Sequence, residues 1–170
     1  MSFNPLQFYE FGKSRGFINN TFIGGVASTI NTPALLAAKL SITSTDIQNF
    51  TIIGSNIECY IAVDYNLNLQ AFVNNIDITY YKDLGRLNII NLQCFSNATN
   101  IVYFYSSTAT TLKNPSDGGI GVFENCISLD FVYLPNCTSY EFTTAYSRHF
   151  LSCTNLKTIY AEPTMATING

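Results

Sequence analysis

Charge is scarce in this sequence. Lys, Arg, Asp and Glu make up 11% of its 170 residues, against about 25% in an ordinary soluble domain. Eight Lys and Arg are scattered among eleven Asp and Glu, for a net charge of −3. No basic run exists to form the cationic face that nucleic acid or an anionic membrane surface requires. Long apolar stretches are missing too. Ala34 to Ala38 is the longest near the N-terminus, far short of the roughly 20 residues of a membrane span. The opening Met1-Ser2-Phe3-Asn4-Pro5 lacks the positive start and apolar core of a secretory signal. Neither nucleic-acid binding nor membrane insertion is expected.

Catalytic and metal-binding residues are equally sparse. There is one histidine, His149, beside Phe150, and we expect it to be an exposed turn residue. No Ser or Cys is paired with it for nucleophilic work. Five cysteines are an odd count without a Cys-x-x-Cys pair, so neither a disulfide framework nor a zinc site is indicated. Buried thiols in a reducing compartment are the simpler expectation. Gly12-Lys13-Ser14 imitates the end of a phosphate-binding loop, but Gln7 stands where that loop needs Gly. Asp117, Glu124 and Asp130 are neighbours in sequence only, a weak basis for a paired-carboxylate glycosidase. No enzyme activity and no cofactor are expected.

Asn, Ser, Thr and aromatics are what the chain has instead. Thirteen Phe and eleven Tyr supply enough apolar area to exclude disorder. Three segments align without gaps: Phe95-Ser-Asn-Ala-Thr-Asn-Ile101-Val-Tyr-Phe104-Tyr105, Phe123-Glu-Asn-Cys-Ile-Ser-Leu129-Asp-Phe-Val132-Tyr133 and Phe150-Leu-Ser-Cys-Thr-Asn-Leu156-Lys-Thr-Ile159-Tyr160. Each has Phe first, Leu or Ile six residues on, an apolar residue at nine and Tyr at ten. Phe95 and Phe123 are 28 residues apart, Phe123 and Phe150 are 27, and a weaker copy begins at Phe72. A second anchor, Leu112, Tyr140 and Ile168, recurs 17 or 18 residues after each Phe. Such periods signal a solenoid, and they fall in the leucine-rich-repeat range of about 20–29 residues.

Each unit alone leaves one face unburied, and stacking buries it against the next. The five residues ending at the Tyr alternate as a short strand. The Phe upstream sits in an Asn/Ser-rich turn or short helix and closes the coil. Asn97, Asn125 and Asn155 suit turns that need left-handed backbone. Phe95, Phe123 and Phe150 are expected in one buried column, and Cys126 and Cys153, three residues after their Phe, in adjacent coils.

The segment Phe123 to Phe142, with Phe150 to Tyr160, resembles the BspA-type leucine-rich repeat: Phe, two small residues, Cys, Thr or Ser, a small residue, Leu, then Ile and Leu-Pro. The resemblance is specific from Phe123 to Pro163, fair from Phe72 and absent before Asn49. It implies a right-handed leucine-rich-repeat stack and a place among bacterial surface proteins and phage structural proteins. Aromatics replace several leucines here, and Asn114 to Gly119 forms an insert.

The expected fold is therefore a β-rich repeat solenoid, an irregular stack of short strands with turns or short helices, over residues 51–170. Residues 1–50 are expected to be an aromatic arm, packed on the solenoid or docked on a neighbour. Within it Thr32 and Pro33 predict a helix start before Ala34 to Leu40, and Thr51 to Val63 reads as strand-rich. Outward positions on the repeat strands, Tyr103, Asp130, Tyr133, Lys157 and Tyr160, are the candidate binding residues. Tyr133 and Tyr160 share one register. The expected role is a phage virion component, in tail, fibre or head decoration, that meets other virion proteins, copies of itself, or a host receptor or glycan. The alternative is a bacterial cell-surface adhesin fragment. Ile168 lies part-way through a coil, so the end of the stack is expected to need a cover, from a partner, a second copy or the arm.

Overall fold

The computed structural model of the chain describes residues 30–53, 56–113, 120–140 and 148–161, with only the backbone at 52, 53, 139 and 140. Ten strands form two sheets: β1 (Ile47–Ile53), β2 (Asn56–Ile61), β3 (Tyr65–Leu67), β4 (Tyr80–Asp83), β5 (Leu87–Ile90), β6 (Tyr103–Ser106), β7 (Thr111–Leu112), β8 (Phe131–Leu134), β9 (Ser139–Tyr140) and β10 (Thr158–Ala161). Sheet A runs in the order β1-β2-β4-β6-β8-β10 and sheet B in the order β3-β5-β7-β9. Every neighbouring pair is parallel except β1 with β2. The architecture is a β-solenoid of about four turns. Each coil gives one strand to each sheet and returns through a Phe-bearing turn.

Registration between coils follows the sequence repeat. Tyr81 pairs with Phe104, Phe104 with Val132 and Val132 with Ile159. One step further, Lys82, Tyr105, Tyr133 and Tyr160 are in line. In sheet B, Leu67, Ile90, Leu112 and Tyr140 are in line, and the second anchor Leu112 is buried with Leu67 and Ile90. Ile168 lies outside the described residues.

The Phe column extends beyond the three expected rings. Phe72, Phe95, Phe123 and Phe150 stack with centroids 5.0, 5.4 and 5.5 Å apart and interplanar angles of 16°, 9° and 6°. Phe95 and Phe123 have no exposed surface. Tyr81 and Phe104 meet this column edge-on. Ile78, Ile101 and Leu129 form a second fully buried column. The Phe turns bond coil to coil along the main chain: Phe72 N–H donates to Cys94, Phe95 N–H to Val122 and Phe123 N–H to His149.

Two residues after each Phe the backbone turns left-handed, with φ of 56° at Asn74, 58° at Asn97, 62° at Asn125 and 62° at Ser152. This conformation costs most L-residues about 1–2 kcal/mol, and Asn tolerates it best. The amides also support one another, with Asn97 Nδ2 donating to Asn74 Oδ1 at 3.1 Å and Asn125 Nδ2 to Asn97 Oδ1 at 2.9 Å. In the last copy this place falls to Ser152, and Asn155 does not take it.

The N-terminal end of the stack is covered. Helix α1 (Pro33–Leu40) starts as expected: Thr32 Oγ1 accepts from Leu35 N–H at 3.2 Å, and Pro33 takes a first-turn position. Leu36, Ala37 and Leu40 are buried in the core. A 3-10 turn at Ser44–Asp46 leads into β1, whose antiparallel pairing ends the parallel ladder. The boundary expected between residues 50 and 51 therefore falls inside β1. The described part of the expected arm, from Ile30, is continuous with the solenoid, and residues 1–29 lie outside the described residues.

Between the two sheets of the second coil, Gly85 passes close to the previous coil. A Cβ there would stand 2.5 Å from the Ile61 nitrogen and 2.6 Å from its oxygen, so only glycine fits without moving backbone.

The stacked column makes an uneven stability prediction. Phe123→Ala removes a ring held on both sides, and unfolding in urea should show a loss of about 3–5 kcal/mol. Phe150→Ala removes a half-buried ring and should cost about 1–2 kcal/mol. Equal losses would argue against the column.

Candidate recognition surface

Strand alternation turns two columns to the outside of sheet A. In the first, Tyr80 stacks on Tyr103 at 4.7 Å and 8°, and Tyr103 on Phe131 at 5.4 Å and 9°. In the second, Glu58, Lys82, Tyr105, Tyr133 and Tyr160 follow one another. Lys82 Nζ lies 3.0 Å from Glu58 Oε2 and 5.9 Å from the Tyr105 ring centroid. Tyr105 stacks on Tyr133 at 4.7 Å and 3°, and Tyr133 on Tyr160 at 4.9 Å and 11°. The spacing is that of the strands themselves, about 4.8 Å, so each ring lies flat on the next, and the three tyrosines are partly exposed.

Of the five expected binding residues, Tyr133 and Tyr160 meet as one ladder. Tyr103 does not join them. It sits two residues earlier in register, between the rings of Tyr80 and Phe131, and is only 6% exposed. The third rung is Tyr105, ten residues after Phe95, which fits the repeat and escaped the candidate set. Asp130 and Lys157 immediately precede β8 and β10 and pair with each other at 3.1 Å. Asp130 O also accepts from Lys157 N–H at 3.0 Å. That ion pair joins adjacent coils and is worth at most about 1 kcal/mol at such exposure.

Burial raises the Tyr133 pKa, and the neighbouring phenols of Tyr105 and Tyr160 raise it further. Burial likewise pushes Tyr80 and Tyr103 upward. All three therefore keep their protons through the neutral range.

Cys59, Tyr65, Tyr81 and Asp83 form one buried cluster of titratable groups inside the stack. Asp83, fully buried, lies at the corner between β4 and β5. It accepts from Tyr65 Oη at 2.7 Å, Gly85 N–H at 3.0 Å, Ser106 Oγ at 3.0 Å and Thr108 Oγ1 at 3.3 Å. Burial raises its pKa, and these donors pull it back. Four donors on one buried carboxylate fix the corner. Glu124 is held by Arg148 Nη2 at 2.6 Å and Gly121 N–H at 3.0 Å. Asp117 lies outside the described residues. No group of three or more His, Cys, Asp or Glu that could hold a metal occurs among the described residues, and no described helix is long and apolar enough to cross a membrane.

His149 departs from expectation. It is 2% exposed, packed beside Phe150 at the turn that receives Phe123 N–H. It fills the place just before the repeat Phe that Cys94 and Val122 fill in the preceding coils, and that place is buried in each of them. Burial lowers its pKa to about 4.

None of the five cysteines is in a disulfide. Cys126 Sγ contacts the Phe95 oxygen and Cys153 Sγ the Phe123 oxygen, each at 3.0 Å. They occupy the same place in adjacent coils. Burial pushes Cys59 up to about 12 and Cys153 up to about 11, and Cys94 and Cys126 higher still.

Comparisons of the chain with protein-family models, curated proteins and solved structures find no match. What the structure defines is a class, the parallel β-solenoid with aromatic ladders inside and out.

Two measurements check this chemistry. With a thiol reagent at pH 8, Cys153 should react first, and Cys59, Cys94, Cys126 and Cys137 only on unfolding, because burial withholds the thiolate. Rapid labelling of all five in the native protein would contradict the burial. For His149, the folded pKa near 4 lies below the unfolded value of 6.5. Its neutral form stabilises the fold above pH 6.5. That contribution is lost as pH falls towards 4, by at most about 3 kcal/mol. Asp83, whose pKa is raised, works in the opposite direction on acidification. Between pH 7 and 4.5 the wild type should therefore lose more stability in urea than His149→Asn, and equal losses would mean that His149 is solvated.

Proposed function

We propose that this chain is a non-catalytic recognition and assembly module, a virion component of a phage in the tail, fibre or head decoration. Its partners are other virion proteins, copies of itself, or a host receptor or glycan. The observation that carries the proposal is the partly exposed ladder Tyr105–Tyr133–Tyr160 on the outside of sheet A. Tyr offers large contact area with little conformational freedom to lose. Stacking on neighbouring rings removes part of that freedom before any partner arrives, which lowers the entropy cost of association. The resemblance of Phe123 to Tyr160 to the BspA-type leucine-rich repeat supports the same role, because such repeats present surfaces rather than active sites.

Two experiments test the proposal. Mass spectrometry of purified virions from the encoding host should recover the chain. Recovery only from the bacterial cell envelope would favour the adhesin instead. The double variant Tyr133→Ala/Tyr160→Ala should bind virion partners or host cells at least tenfold more weakly. Its unfolding free energy should fall by only about 1–2 kcal/mol, the scale of exposed ring stacking. A loss comparable to Phe123→Ala, with binding intact, would make the ladder a core edge and defeat the proposal.

A further inference from the structure

We draw no further inference here: the strongest candidate, the half-buried apolar end of the last coil formed by Phe150, Cys153, Leu156 and Ile159 beside β10, carries nothing because nothing among the described residues shows what covers it.

Discussion

Parallel stacking in register is the constraint on which the rest of this structure depends. Once one coil lies on the next at the strand spacing of about 4.8 Å, each residue faces its own counterpart. A side chain that packs well on a copy of itself can then recur from coil to coil. Phe satisfies this inside, with offset rings 5.0–5.5 Å apart. Tyr satisfies it outside, at 4.7–4.9 Å. Asn satisfies it at the left-handed turn, where one amide donates to the next. Three chemistries thus obey one geometric rule, and each exposes a different surface.

Ends break the rule, and the two ends are treated differently. At the N-terminal end, α1 inserts Leu36, Ala37 and Leu40, and β1 reverses direction. Reversal ends the parallel ladder among the described residues. Towards the other end, burial declines by position rather than by residue type. Phe123, Cys126, Leu129 and Val132 are fully buried, while Phe150, Cys153, Leu156 and Ile159, one coil later, are only partly so. The same side chain therefore contributes differently to stability according to how many coils flank it.

The columns were legible in the sequence because their signal is a spacing. Phe95, Phe123 and Phe150, the apolar residues nine further on and the Tyr at ten fixed the solenoid and placed Tyr133 on Tyr160. What escaped was whatever depends on three-dimensional context. Tyr103 looks as outward as Tyr105, and alternation alone cannot say which outer column is enclosed. His149 looks like a turn residue, but it stands just before a repeat Phe, where Cys94 and Val122 are buried in the preceding coils. Asp83 breaks the apolar pattern because four donors from neighbouring segments converge there. No periodicity announces such a junction. The left-handed turn was expected from Asn, and Ser152 shows that the geometry belongs to the position two after Phe, not to the residue type.

Low charge follows from the same stacking. A repeated Lys or Glu at one position would set like charges about 5 Å apart in a column, which is destabilising. Charge is tolerable only where the sign alternates from coil to coil. The described ion pairs follow that rule: Lys82 with Glu58, Arg86 with Asp64, Arg148 with Glu124 and Lys157 with Asp130 each join adjacent coils. Neutral side chains that stack or hydrogen-bond with their own kind face no such limit, so Asn, Ser, Thr and Tyr fill the surface. The composition is then first a consequence of the solenoid. The case for recognition accordingly rests on Tyr105, Tyr133 and Tyr160, where the fold's own spacing has assembled an aromatic strip.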